Sequence, residues 1–240
     1  MYDLTQRQIE ILKHIIKEYI DTAEPVGSET LEEKYDLGVS PATIRNEMAE
    51  MVKNGYLSKP HTSAGRIPSS KAMKFYVNEL MREKELSVAE EVEAKEKVWD
   101  LRETEDKFLR EAIKNLAQKT HSLAVATTDE GDIYFAGYSN ILEMPEFYDI
   151  DITKNLLNIL DNISYFDAIV KRLEDECAVF LGEDFEEELL RPYGFVFSRF
   201  ETKKHHIGSI GVVGPARSRY ELLVPTVRYF GNLVQEVANW

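Results

Sequence analysis

The chain has 240 residues, room for one large domain or two modest ones, and its 43% hydrophobic and 30% charged content is that of a globular protein in water. No run of 18 apolar residues exists, which excludes a transmembrane helix, and the single Cys177 excludes a disulfide framework or thiolate cluster and suits a reducing cytoplasm. A net charge of −14 speaks against a protein that coats DNA indiscriminately, because such affinity comes from Lys and Arg meeting phosphates.

The N-terminal stretch is amphipathic and lacks the basic region and cleavage site of a signal peptide. Residues 4–20 read as a helix, with Leu4, Ile9, Leu12, Ile16, Tyr19 and Ile20 at three- and four-residue spacing. Pro25 and Gly27 break it. A short second helix follows, with Ser28 as its N-cap and Leu31 and Tyr35 as its buried stripe. Ser40 caps a third helix, and Pro41 takes its first position, where a missing N–H costs nothing. Ile44, Met48, Met51 and Val52 form its apolar face, and Asn54-Gly55 ends it.

Tyr56-Leu57 then reads as a short strand in a hairpin rich in Gly, Pro and Ser. Helix returns over 70–83, with Met73, Tyr76, Val77 and Leu80 on one face. Residues 84–119 are charged and helical. Their thin apolar stripe (Val88, Val92, Val98, Trp99, Phe108, Ile113, Leu116) packs on its own domain or faces a partner. Beyond Thr120, five runs rich in β-branched and aromatic residues alternate with helical patterns at 152–174 and 219–239, which predicts an α+β sheet domain. The expected division is an N-terminal winged helix-turn-helix at 1–83, a helical linker at 84–120 and a C-terminal sheet domain at 121–240.

Charge is segregated along the chain. Residues 40–76 hold six basic side chains (Arg45, Lys53, Lys59, Arg66, Lys71, Lys74) against two acids (Glu47, Glu50), a local charge of +4. The remainder carries −18, and an acidic body repels DNA, so only the basic segment should dock. The N-terminal part of a recognition helix enters the major groove. There Asn46 could pair with adenine, Arg45 with guanine or a phosphate, and Thr43 with a thymine methyl or a phosphate. Ser40 and Lys53 bound the same helix and join this candidate DNA-binding set. Ser28 and Thr30 begin the second helix, where N-termini favour anions. Lys59, His61, Thr62 and Arg66 lie on the wing, and Gly65 beside Arg66 permits close backbone approach. A head of this plan can also bind RNA or protein, and spacing does not separate these partners.

The segments EPVGS, SPATIRNEM, GYL and PHTSAGRIPS in the head, with AGYSNILEMPEF and IGSIGVVGPARSRYELLVPTVRYF further on, closely resemble the HrcA family of heat-inducible transcription repressors. The resemblance implies a GAF-like body. It also implies a homodimer on an inverted-repeat (CIRCE-type) operator upstream of chaperone operons, release on heat stress, and a GroEL-type chaperonin as partner. It carries the DNA-contact role onto Thr43, Arg45, Asn46, His61, Thr62 and Arg66 individually. Family members typically carry a dimerisation domain inserted in the GAF-like domain. Here SLAVATTD passes to GDIYFAGYSN through Asp129–Asp132 alone, a hairpin turn, so the insert is expected to be missing. The substitutes for it are the 84–119 helices or the sheet.

No catalytic set, cofactor or metal is expected. His205-His206 reads as a solvated turn, and His121 beside Ser122 lacks a nucleophile elbow. Cys177 is a small hydrophobe at the start of a strand. The glycines at 208, 211 and 214 lack a phosphate loop's Lys and helix, and the acids at 183–188 lack a calcium loop's spacing. The alternative function is a small-molecule-sensing GAF-like regulator with a winged-helix output domain, which would need convergent polar groups in a pocket.

Overall fold

The computed structural model describes residues 3–60, 64–162, 165–166, 171–173, 176–185, 188–201 and 207–240. The chain divides into two compact units, 1–82 and 83–240.

In the first unit, α1 (Gln6–Thr22) opens on a reciprocal cap between Thr5 and Gln8 and ends at Ala23 in the left-handed region. It buries Ile11, Leu12, Ile15, Ile16 and Ile20. Ile11 and Ile15 thus occupy the centre of the stripe, where the spacing had suggested Ile9. The helix meets neighbours on a broader arc than a single three-four row. Two short helices follow, α2 (Ser28–Lys34) and α3 (Pro41–Lys53). The N-cap of α2 is Gly27, with no side-chain cap bond, and Ser28 is its first residue, which corrects the capping role expected for Ser28. Ser40 caps α3 as expected, its Oγ accepting from the Thr43 N–H at 3.3 Å. The strands β1 (Leu57–Ser58) and β2 (Ile67–Pro68) pair antiparallel and form the base of the wing. Then α4 (Ser70–Phe75) widens into a π turn over Tyr76–Leu80 and stops, where the sequence had suggested helix to residue 83. The residues beyond it, Arg82 to Glu85, are all charged, so continuation would have no apolar side to bury.

One carboxylate sits within this unit's packing. Glu18 on α1 is buried, and it accepts from Lys34 Nζ at 2.5 Å and from the Tyr35 hydroxyl at 2.6 Å. Those hydrogen bonds hold its carboxyl below the ordinary value of 4.5, while burial and the Glu18 bond push the Tyr35 phenol up to about 12.

The second unit starts with α5 (Val88–Trp99) and α6 (Glu105–Thr120). Five strands follow: β3 (Leu123–Thr128), β4 (Ile133–Ala136), β5 (Cys177–Leu181), β6 (Tyr193–Glu201) and β7 (Ile207–Pro215). They form one antiparallel sheet in the order β4-β3-β7-β6-β5. Between β4 and β5 come α7 (Tyr138–Ile141) and α8 (Ile150–Leu160), and α9 (Tyr220–Ala238) closes the chain. This is an α+β domain of GAF-like build. On one face α6 and α9 cover the sheet, and α5 packs on both helices. On the other, Leu123, Val125, Tyr193, Phe195, Phe197 and Val213 join Ile141, Phe147, Leu156, Ile159, Leu160 and Phe166 in one core. Both faces being covered, β3, β6 and β7 are buried almost residue by residue instead of alternating.

The stretch 84–120, expected as a linker, therefore belongs to the second unit. Ala94, Val98, Phe108, Leu109, Ala112, Ile113 and Leu116 are buried there, which leaves Val88 and Val92 of the stripe exposed. Pro225 explains part of the attachment. Lacking an N–H, it cannot bond the Glu221 carbonyl one turn back, and the Lys84 N–H takes that carbonyl instead at 2.8 Å. Beside it, Arg228 grips Glu83 with two bonds of 2.8 and 2.9 Å. Asp129–Asp132 is a tight hairpin turn closed by bonds between Thr128 and Asp132 and between Gly131 and Thr128. His121 is the left-handed terminator of α6. Gly211 makes room for its neighbours: a Cβ there would lie 2.6 Å from the Phe197 ring. Cys177 is half-buried, and burial pushes its thiol up to about 12, so it carries no thiolate at neutral pH. The His205-His206 pair lies outside the described residues.

Because Glu18 titrates lower in the folded state, its contribution to stability is full above pH 4.5 and is lost as pH falls through the folded value. Thermal melts across pH 3–7 should show Glu18→Gln starting lower at neutral pH and declining less steeply in acid than the wild type. Parallel acid limbs for the two proteins would show that Glu18 does not carry this term.

Candidate nucleic-acid interface

The first unit brings sequence-distant residues around one open cleft of about 420 Å³. It is lined by Val26 to Thr30 from the start of α2, Arg45 and Met48 from α3, and Lys59 with Ala64 to Arg66 from the wing. Five expected contact residues meet there: Ser28, Thr30, Arg45, Lys59 and Arg66. What closes the cleft is a backbone bridge. The Val26 N–H donates to the Arg66 carbonyl at 2.9 Å and the Arg66 N–H to the Val26 carbonyl at 2.8 Å. The approach requires glycine next to it, since a Cβ on Gly65 would lie 2.4 Å from the Val26 carbonyl oxygen. The close approach expected of Gly65 is thus made to the protein's own backbone. A second lock holds the other end of the wing. Ser69 Oγ donates to the Gly55 carbonyl at 2.7 Å, and Lys71 Nζ donates to the Asn54 carbonyl at 2.9 Å while lying 4.1 Å over the Tyr56 ring. Lys71 is thereby occupied by structure.

Each expected residue among those described now has a place. Ser28 is buried, its Oγ 3.5 Å from Arg45 Nη2, and the same Nη2 lies 3.6 Å from Glu29. Thr30 is half-buried on the cleft wall. Ser40 spends its hydroxyl on the Thr43 N–H, and its Oγ lies 3.1 Å from Thr43 Oγ1. Asn46 and Lys53 are exposed on α3 outside the cleft lining, and Lys59 is exposed on the wing. Among the described residues these three make no side-chain hydrogen bond or ion pair. Arg66 folds back, donating Nη1 to the Ala64 and Gly65 carbonyls at 3.2 and 3.3 Å. Its Nε is buried and bonds to no described residue. His61 and Thr62 lie outside the described residues. Sequence reasoning missed Arg7, whose Nη1 reaches Glu47 on α3 at 3.2 Å. Its distance of forty residues from Glu47 left no local signal.

Three helices, a two-stranded wing and a cleft rimmed by hydroxyls and cations define a winged helix-turn-helix regulator. A profile of the HrcA protein C terminal domain matches residues 50–224. The heat-inducible transcription repressor HrcA of Caldanaerobacter subterraneus subsp. tengcongensis is 27% identical, over 98% of this chain and 98% of that protein. That of Desulforudis audaxviator is 28% identical, over 94% of this chain and 95% of its own length. A crystal structure described as a hypothetical protein at 2.2 Å resolution superposes with a TM-score of 0.76 at 19% identity, over 98% of this chain and 97% of that one, and so shares the fold. The chain belongs to the HrcA family. The first of these alignments runs over 338 positions against 240 residues here, so that relative carries long stretches without counterpart in this chain. Among the described residues no helix is long and apolar enough to cross a membrane.

Gly65→Ala should force the wing off the start of α2. Overpacking of this kind costs about 1–3 kcal/mol. The variant is expected to melt lower and bind duplex DNA more weakly in the same preparation. An unchanged melting curve with unchanged binding would show that the bridge does not position the wing.

Proposed function

We propose that this chain is a sequence-specific DNA-binding transcriptional repressor of heat-shock operons, with no catalytic activity. It acts in the cytoplasm as a homodimer on an inverted-repeat operator and leaves that operator on heat stress. The observation that carries the reading is the cleft. It sets a base-reading helix beside two cationic wing residues and two hydroxyls, the mixture a groove with flanking phosphates demands. Arg45 and Asn46 read bases from α3. Thr43 and Ser40 sit at its N-terminus, Lys53 at its C-terminal end, and Ser28, Thr30, Lys59 and Arg66 steady the phosphates. His61 and Thr62 complete the wing's share. The Arg66 Nε, which bonds to no described residue, supports the reading, because a buried donor in want of a partner costs stability that an incoming acceptor can recover. The names of the curated relatives support the repressor role and its link to heat.

An operator with inverted symmetry calls for a two-fold protein. The exposed side of α5 or the sheet domain supplies the contact that an inserted domain makes in longer relatives, and a GroEL-type chaperonin keeps the repressor competent. The alternative, a small-molecule sensor, would need a polar-lined cavity in the second unit. The described residues of the sheet face opposite α6 and α9 are packed with rings, including the pairs Phe166–Phe197 and Phe185–Phe195, and the groove of about 250 Å³ between α5 and α9 lies on the other side.

Gel-shift titration of an inverted-repeat duplex and a scrambled one, at two salt concentrations, tests this. Binding should weaken steeply with salt on both and remain tighter on the inverted repeat; equal affinity for the two sinks sequence specificity. Arg45→Ala and Asn46→Ala should each cost about 1–3 kcal/mol on the operator if they read bases. Loss in neither would move the reading surface elsewhere on the head. Molecular mass in solution, with and without operator, should be that of a dimer when DNA is bound. A single copy per full operator would exclude the two-fold arrangement.

A further inference from the structure

Two carboxylates flank the reading surface, and both are tied to arginines. Glu29 Oε1 lies 3.6 Å from Arg45 Nη2, and Glu47 Oε1 lies 3.2 Å from Arg7 Nη1. Glu29 lines the cleft with 78% of its side chain exposed, and among the described residues it pairs with Arg45 alone. Glu47 follows Asn46 on α3, retains 19% exposure, and among the described residues pairs with Arg7 alone. The packing of the head does not require a charge at Glu29, because an exposed pair contributes little to stability. Yet a surface meant to meet polyanionic DNA carries acids beside its arginines. Lys53 and Lys59, by contrast, pair with no described residue and are ready for phosphates.

We propose that Glu29 and Glu47 are specificity-determining residues of the head: Glu29 turns Arg45 away from phosphates and toward the uncharged edges of bases, and Glu47, next to Asn46 on α3, sets a negative charge against phosphates at the same helix. The proposal rests on the DNA-binding reading above. Its physical content is the charge of what Arg45 would meet. A guanine edge is neutral, so Arg45 can offer its Nη1/Nη2 edge to O6 and N7 while the other Nη2 hydrogen, on the Nε side, stays toward Glu29. A phosphate oxygen instead brings a full negative charge up against the carboxylate. Like charges about 4 Å apart in water repel enough to shift binding about fivefold. Salt screens exposed charges over about 8–10 Å, so most of that repulsion survives at such a distance. Acids placed this way tax every non-operator sequence, where phosphate contacts are all that is available, and leave a correct base contact nearly untouched.

The test measures affinity of the full chain for an inverted-repeat operator and for a scrambled duplex, over a range of salt. In Glu29→Gln, affinity for the scrambled duplex should rise about fivefold. The slope of log affinity against log salt on that duplex should steepen by about 0.9, the value of one added phosphate contact. Operator affinity should change much less, so the specificity ratio falls. Glu47→Gln should move in the same direction. Glu29→Asp, which keeps the charge, should restore the wild-type ratio, and all three variants should keep the wild-type melting curve. Equal strengthening on both duplexes, or an unchanged salt slope in both Gln variants, overturns the proposal while leaving the DNA reading standing. A wild-type protein that binds neither duplex overturns the DNA reading, and this proposal with it.

Discussion

The head depends on the backbone bridge between Val26 and Arg66. A ribbon of two residues per strand, Leu57–Ser58 against Ile67–Pro68, is marginal by itself. Two further hydrogen bonds pin its returning arm to the loop before α2, each worth about 0.5–1.5 kcal/mol net. Their energetic weight is modest, but their geometry decides where the cations go. With the bridge made, Lys59 and Arg66 stand across the cleft from Ser28 and Thr30, and Arg45 faces them from α3. Gly65 is the condition for that closeness, and the Lys71 and Ser69 contacts hold the other end of the wing.

The second unit solves a different problem, how to bury a five-stranded sheet on both faces. α6 and α9 take one face, and the aromatic core with α7 and α8 takes the other. Once both faces are occupied, strands need no alternation, and a short turn at Asp129–Asp132 suffices between β3 and β4. Pro225 adds an attachment that hydrophobic pattern could not foretell. By withholding one N–H inside α9 it frees a carbonyl for Lys84, and Arg228 secures Glu83 alongside. Glu83 and Lys84, ahead of α5, are thereby fastened to α9.

Electrostatics links composition to the reading surface. The acidic balance of the chain leaves one segment basic, yet three of the head's arginines are already engaged: Arg7 by Glu47, Arg45 by Glu29 and Ser28, and Arg66 by the wing's own carbonyls. Lysines 53 and 59 remain open to solvent. A regulator must bind one site tightly among very many others, and the difference of affinities matters more than affinity itself. A head whose reading-surface arginines already have partners suits that demand better than one that presents every cation freely.

Much of this was legible in the amino-acid order. Caps, breaks and three-four spacing are local, so the order α1, α2, α3, wing and α4 could be read directly, as could Ser40 and Pro41 at the start of α3 and the strands beyond Thr120. The motifs carrying the family resemblance also lie along the chain. What stayed hidden were pairings across distance: Arg7 with Glu47, Val26 with Arg66, Glu18 with Lys34 and Tyr35, and Lys84 with Glu221. The same holds for the assignment of 84–120, whose stripe looks alike whether it packs on its own unit or on a partner. Periodicity reports that a face is apolar and never what covers it. By itself the sequence determined the elements and the kind of residue on each, because those follow from local backbone and side-chain preferences. Only the tertiary structure decided which cations are free and which are already held, because that depends on which side chains from distant elements arrive within hydrogen-bonding reach.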